Sequence, residues 1–450
     1  MITKIEVDGF KSLSEFTLKL NQGVNILVGP NGAGKTNIIL FFEFLSQLVK
    51  NPIGRAVSSV GGAGSIFKKI GQSNYQDYIK FKIFGSTKQN SKLYYVYEYE
   101  AEVKTSFEKD SIHFSYQRMR IRTASKFWDD PDNLPKKSKW DLDIEYVKDD
   151  ASNEKFKVTS LNETKFKARF FLTEIDNKTD FKRKLEKFAL EQNPSSRPII
   201  FSLFPFFDIS HKMMSDLVGG ESFNIIPSKV KEFEDAATPA EIKRDGSGLG
   251  TTLYAMKNSR PKDENEKRIF FGFDRPERSF EPKTLDKIKS YLKLANNTVS
   301  NITIENDPFD NKLLIKITIK TGDYEAVLPL SAMSDGTIKW LSLITAILTS
   351  KTIFSIEEPE NFLHPWMQAE IAQIMRDHIS EKDTQSFILM TTHSESLLNS
   401  SQPEEIIIVD LREGRTIAKR IDNLQLVKDE ISNSGIGLGH FYFSNSIQNA

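Results

Sequence analysis

Cysteine is absent from all 450 residues. That excludes disulfides, thiolate nucleophiles and cysteine-ligated zinc, and it accords with a reducing compartment. Net charge is absent too, since 61 Lys and Arg balance 61 Asp and Glu. No whole-chain basic field draws in nucleic acid, so any such contact must be local. No apolar run nears the ~20 residues that span a bilayer. The longest candidate, Trp340 to Leu348, is about half that length. Lys4, Glu6, Asp8 and Lys11 interrupt the N-terminus where a signal peptide needs an apolar core. Repeats, low-complexity tracts and long heptad arrays are also missing. A soluble, cytoplasmic protein without a membrane partner is expected, and its length calls for two or three lobes.

What is present is organised around residues 25 to 45. The short β-rich run Asn25-Ile26-Leu27-Val28 enters Gly29-Pro30-Asn31-Gly32-Ala33-Gly34-Lys35-Thr36, and the helix-length apolar segment Asn37 to Leu45 leaves it. This is the G-x-x-x-x-G-K-[ST] phosphate-binding loop in its strand–loop–helix setting. Glycines let backbone N–H groups turn inward around phosphate oxygens. Lys35 supplies charge for the β- and γ-phosphates of a nucleotide, Thr36 a hydroxyl for Mg²⁺, and the helix N-terminus its dipole.

Upstream, Met1 to Leu20 reads as a β-hairpin bending at Gly9-Phe10-Lys11-Ser12. Lys11 there either lies near bound nucleotide or is an exposed turn lysine. Downstream, Asn51 to Gly64 is rich in Gly, Ser and Val, and Ile66 to Phe84 and Leu93 to Val103 read as strands. Gln72 and Gln76 are the candidates for a Q-loop. Between 106 and 310 the pattern loosens. Arg118, Arg120 and Arg122 share one face of a predicted strand ahead of Lys126-Phe127-Trp128, either a phosphate-gripping row or a solvated face, with Asp129, Asp130 and Asp132 weakening the first reading. Helices are predicted over Thr179–Gln192 and Pro282–Asn296. Asp245-Gly246-Ser247-Gly248-Leu249-Gly250 reads as a turn before a helix.

Regular signals return at Lys312, where Leu313, Ile315, Ile317 and Ile319 alternate as a strand with a hairpin partner at Ala326 to Leu330. Ser334-Asp335-Gly336 then opens the apolar segment Ile338 to Leu348, offering a hydroxyl, free N–H groups and a dipole to an anion, or a simple N-cap. Thr352 to Ile356 is an apolar strand ending in Glu357-Glu358-Pro359-Glu360. That arrangement suits one carboxylate, Glu357, beside the metal and one, Glu358, to orient or deprotonate water. Glu stands where Asp is usual, so Glu357 reaches the metal directly or through a water. Phe387 to Thr392 is another buried-type strand, delivering His393 to the carboxyl edge of a parallel sheet.

The ordered set GPNGAGKT, MSDGT, IEEPENFLHP and TTHSES resembles ABC-type ATPases of the AAA-21/AAA-15 group, relatives of OLD, RecF and SMC heads. The resemblance covers the first hundred residues and those from about 310 to 410. It implies Walker A at Gly29 to Thr36, a signature at Ser334-Asp335-Gly336 that departs from LSGGQ, Walker B at Glu357-Glu358, a D-loop region from Asn361 to Pro365, and a switch histidine at His393. Lys11 matches the basic residue such heads carry in their N-terminal hairpin. The implied fold is an α/β head with a mixed sheet and an antiparallel β-subdomain, divided into lobes at 1–105 and 311–450 around an α+β insertion at 106–310. The implied activity is hydrolysis of ATP with Mg²⁺, by a homodimer or higher even-numbered oligomer that closes around nucleotide. Roughly 40 residues follow Asp410, and no nuclease constellation accompanies the head. The chain therefore resembles stand-alone ATPase subunits of antiphage systems such as Septu or PARIS. These act with a separately encoded, nuclease-like effector, and the insertion would bind partner or trigger. The alternative is a RecF- or SMC-like DNA-binding ATPase in DNA repair.

Overall fold

The computed structural model describes residues 1–450 apart from 73, 91–92, 107–109, 129–138, 163–177, 204–207, 260–279, 281, 351–352, 382–385 and 445–450. The N-terminal hairpin forms as its alternation predicts. β1 (Ile2–Asp8) pairs antiparallel with β2 (Phe16–Lys19), Val7 facing Phe16. β3 (Gly23–Val28) leads through the glycine-rich loop into α1 (Lys35–Lys50). The Gly- and Ser-rich stretch contains two short helices, α2 (Ile53–Ser59) and α3 (Ala63–Ile66). The strand expected from Ile66 begins only at Tyr78, because the intervening residues fold back with Lys69 bridged to Tyr75. β4 (Tyr78–Asn90), β5 (Leu93–Ser106), β6 (Ser111–Ala124), β7 (Leu142–Lys148) and β8 (Glu154–Leu161) then continue the antiparallel sheet, ordered β2-β1-β4-β5-β6-β7-β8.

α4 (Lys178–Glu191), α5 (Ile200–Leu203), α6 (Asp208–Val218), β9 (Glu221–Phe223), α7 (Pro227–Val230), β10 (Glu234–Asp235), α8 (Leu249–Asn258) and α9 (Pro282–Ala295) follow. α4 and α9 lie where the apolar spacing placed them, and Gly248, at φ +88°, opens α8 as the turn reading required. β11 (Val299–Asp307), β12 (Lys312–Thr321) and β13 (Tyr324–Pro329) form a second antiparallel sheet with β10. The boundaries drawn at 105 and 310 cut across these sheets. β5 pairs with β6 from Tyr94–Ala124 to Ser106–Ser111, and β11 pairs with β12 from Val299–Ile319 to Asp307–Lys312. Both are pairings of consecutive strands, β5 ending at Ser106 and β6 beginning at Ser111, β11 ending at Asp307 and β12 beginning at Lys312, so each boundary falls within a hairpin.

The last third supplies α10 (Asp335–Thr349), β14 (Ile353–Glu357), α11 (Pro365–Ser380), β15 (Phe387–Thr391), α12 (Glu395–Asn399), β16 (Ile406–Arg412), β17 (Arg415–Arg420), α13 (Leu424–Ser434) and α14 (Leu438–Phe443). The second main sheet, ordered β17-β16-β3-β15-β14-β9, is parallel except for the β16–β17 hairpin. Parallel strands need cover on both faces. Ile26, Ile356 and Met390 face a core shared with α10 and α11, whereas Leu27, Ile353 and Leu389 face one shared with α1 and the antiparallel sheet. α1 is the wedge between the sheets. Its Phe41 ring meets Phe10 at 5.4 Å and Phe81 at 5.8 Å edge-on, and Phe42 meets Phe387 at 5.7 Å. Each buried ring stabilises by roughly 1.5–3 kcal/mol, so the helix that leaves the loop is held from two sides. The fold is the expected α/β head, a mixed sheet joined to an antiparallel β-subdomain.

Candidate active site

Strand register assembles the site. Leu27 of β3 lies opposite Thr391 of β15, and Thr391 opposite Glu357 of β14. Gly29, His393 and Glu358 follow that row by one or two residues, so three motifs leave one carboxyl edge of the parallel sheet, where α/β folds bind ligands. The acidic strand is separated from the loop strand by β15 alone.

In the glycine-rich loop, Lys35 is buried and its Nζ donates to the carbonyls of Gly29 at 2.7 Å and Pro30 at 3.0 Å. Burial pushes its ammonium below the usual lysine range, and the nearby Glu358 and Glu360 carboxylates oppose that shift. Asn31, Gly32 and Thr36 are exposed, whereas Ala33 is buried. Gly34, at φ +100°, has no room for a Cβ, which would lie 1.9 Å from Thr416 Oγ1. That threonine, on β17, donates to the Ala33 carbonyl at 3.0 Å and shares a 2.6 Å hydrogen bond with Ser12 Oγ, which also accepts from Asn37 Nδ2 at 2.7 Å. The hairpin bend and β17 therefore brace the loop from behind. Lys11 sits at this bend in the left-handed region, φ 49°, its N–H donating to Ile66 O at 2.8 Å. Gln76 packs against Gly9 in the same bend, and Gln72 lies in the turn beyond it.

On the acidic side, Glu357 is buried at the end of β14. Glu358 is a non-glycine residue at φ 44°, a strain that surrounding structure must impose. Its N–H is held by the Thr391 carbonyl and hydroxyl at 3.1 and 3.2 Å, and Asn361 Nδ2 donates to its Oε2 at 3.0 Å. Glu360 ties this turn to the next. Its Oε1 accepts from Thr392 Oγ1 at 2.8 Å and from the backbone N–H of His393 at 2.7 Å, while its Oε2 is buried without a hydrogen-bond partner. His393 itself is exposed. Arg244, unremarked in the sequence, donates Nη2–H to Glu357 and Nη1–H to Glu43 of α1. Burial pushes the Glu43 carboxyl up, Arg244 opposes this, and Glu357 adds to it.

Ser334 caps α10, its hydroxyl accepting the Thr337 N–H at 3.3 Å, and Asp335 pairs with Lys231 at 2.8 Å. A Cβ on Gly336 would lie 2.7 Å from the Phe362 carbonyl, so this turn packs on the loop just after Glu358. One turn further, Lys339 is 1% exposed and donates to the Ile225 carbonyl at 3.0 Å. Burial lowers it from 10.5 to about 8, with Glu360 and Glu358 opposing. The charged form is the penalised one, so its cost is full below pH 8 and is relieved between about 8 and 10.5. Thermal melts of wild type and Lys339→Met are therefore expected to shift in favour of wild type as pH rises across that window, by at most about 3 kcal/mol.

The arginine row is committed elsewhere. Arg118 holds Asp143 through Nε and Nη2 at 3.0 and 2.9 Å, Arg120 pairs with Glu98, and Arg122 lies over Trp128 and Trp140 at 5.8 and 5.6 Å. Asp129, Asp130 and Asp132, like Thr352, lie outside the described residues. Among the described residues no helix is long and apolar enough to cross a membrane.

The site has the composition that nucleotide and metal demand: a loop closed to any Cβ at Gly34, a cation on its carbonyls, an exposed Thr36 hydroxyl, and a buried carboxylate already paired to a cation. Over 39 residues the chain is 41% identical to the DNA double-strand break repair Rad50 ATPase of Methanopyrus kandleri, a stretch that is 9% of this chain and only 4% of that protein. Among solved structures it is similar to the SmcHead bound to the C-winged helix domain of ScpA, at 13% identity and TM-score 0.46 over 94% of this chain and 99% of that one. It is also similar to the SMC head domain from Thermotoga maritima, at 10% identity and TM-score 0.39 over 94% and 99%. Residues 215–399 match the AAA_21 family, described as "AAA domain, putative AbiEii toxin, Type IV TA system". Residues 4–244, more than half of the chain, match the AAA_23 family, described as "AAA domain". The chain belongs to this AAA family of ATPase domains.

Proposed function

We propose that the protein is an ATP hydrolase whose two copies close around nucleotide. The observation that carries this reading is the register row Leu27–Thr391–Glu357, which sends Lys35, Glu358 and His393 to one sheet edge. ATP binds with its phosphates in the Gly29–Thr36 loop, and Lys35 moves its charge from the loop carbonyls to the β- and γ-oxygens. Thr36 and Glu357 hold Mg²⁺, which when bound neutralises charge on the phosphate oxygens. Glu358 orients and deprotonates the attacking water, and His393, set by Glu360, contacts the γ-phosphate. Ser334, Asp335 and Gly336 of a second copy bring a helix N-terminus to the same phosphate, which makes closure nucleotide-dependent. Lys11 lies beside the nucleotide.

The finer reading is a sensor or scaffold controlling a separate effector in antiphage defence; the AAA_21 description, a putative toxin of a Type IV TA system, bears on a toxin–antitoxin context alone. The Rad50 match favours a second reading, an ATPase that engages DNA in repair. Native mass spectrometry of the Glu358→Gln protein from its own host, with ATP and Mg²⁺, separates them. A recurring protein on an even-numbered assembly supports the defence reading. A bare dimer retaining DNA, with ATP-stimulated and salt-dependent affinity, supports repair. A monomer that binds no nucleotide overturns both.

A further inference from the structure

Glu43 and Glu357 are carboxylates from different elements, α1 and β14, and their side chains are 19% and 8% exposed. Two carboxylates at such depth repel unless one is protonated or a cation sits between them. Arg244 supplies it, at 2.9 Å to Glu43 and 2.5 Å to Glu357, yet its own side chain is 40% exposed. A guanidinium with that access to water leaves at far lower cost than a buried one. The residue sits on a loop and not on the sheet. The Arg244 carbonyl accepts from Asn224 N–H at 2.7 Å, and the Asp245 carbonyl from Ile226 N–H at 2.9 Å. Between these, the Ile225 carbonyl accepts from Lys339 of α10. The cation on Glu357 is thereby tied through the strap after β9 to the helix that begins at Ser334.

We propose that Arg244 is a displaceable counter-ion that occupies Glu357 until a nucleotide-borne divalent cation replaces it. Without nucleotide it closes the Glu43–Glu357 pair to free metal. With nucleotide, Glu357 would serve as a metal-side carboxylate and the Arg244 guanidinium, already 40% exposed, would turn toward water. The inference rests on Glu357 being the metal-side carboxylate.

The test is Mn²⁺ binding to the full chain, followed by the electron paramagnetic resonance of free Mn²⁺, with and without a non-hydrolysable ATP analogue. Wild type is expected to take up Mn²⁺ only with nucleotide. Arg244→Gln is expected to bind Mn²⁺ alone and to bind it about tenfold tighter with nucleotide, the equivalent of one ion pair worth about 1.4 kcal/mol. Arg244→Lys, which keeps a cation, should return towards wild type. Melting curves report folding, and Glu43→Gln, which removes one of the two anchors, should shift Mn²⁺ affinity the same way by a smaller factor. If Glu357→Gln weakens Mn²⁺ binding while Arg244→Gln and Glu43→Gln leave it at the wild-type value, the counter-ion proposal is overturned and the metal assignment stands. If Glu357→Gln leaves Mn²⁺ affinity in the nucleotide complex unchanged, Glu357 is not on the metal side and both fall.

Discussion

Glu358→Gln is expected to slow ATP turnover by roughly 10²–10⁴-fold, the range of a lost general base, while nucleotide still binds. The substitution is nearly isosteric. The bonds that fix residue 358 are its backbone N–H to Thr391 and the Asn361 amide on Oε2, and a glutamine carbonyl accepts from that amide as well as a carboxylate does. What disappears is the capacity to take a proton from water. Phosphate release under saturating ATP measures the loss, and fluorescent-nucleotide titration checks that binding persists. Turnover at the wild-type rate would move the base elsewhere, and Glu360, with an unpartnered buried Oε2, is the next carboxylate along the turn.

Lys35→Ala is expected to abolish nucleotide binding at concentrations where wild type saturates, a weakening of at least about 100-fold. Charge-assisted hydrogen bonds contribute roughly 1.5–3 kcal/mol each, and the ammonium reaches two phosphates at once. Folding should survive. In the free protein this cation is buried, its Nζ donating to the Gly29 and Pro30 carbonyls, and burial opposes its charge. Removing it therefore costs the empty protein little, and the melting temperature without nucleotide should stay close to wild type. A variant that melts early would tie the lysine to the fold and leave the binding result without meaning, so both curves belong to the measurement. Retained binding would remove the loop from the nucleotide site.

The same local reasoning explains which parts of the molecule could be read in one dimension. The Gly29–Thr36 loop, the strands that end at Glu357 and Thr391, the Ser334 cap and the helices from 178 and 282 are each specified by neighbours in sequence. Periodicity, capping hydroxyls and glycines at positive φ act over a few residues, so their signals survive without the fold. Arg118 and Arg120 show the limit of that reading. Their shared face was legible, but the acids that occupy them, Asp143 and Glu98, sit on flanking strands that no pattern in β6 names.

Tertiary structure alone decided the rest. Strand pairing placed β6, β7 and β8 in the sheet that begins at Ile2, and residues 221–223 at the edge of the parallel one. It also brought Thr416 behind Gly34 and Arg244 between Glu43 and Glu357, across separations of 383 residues to Ala33 and 113 to Glu357. An exposed-looking threonine or arginine has no periodic neighbour that announces such a partner. Its meaning comes from Coulomb attraction and hydrogen bonding over a few ångströms, which exist only after the hydrophobic faces of α1 and the two sheets have brought the chain together.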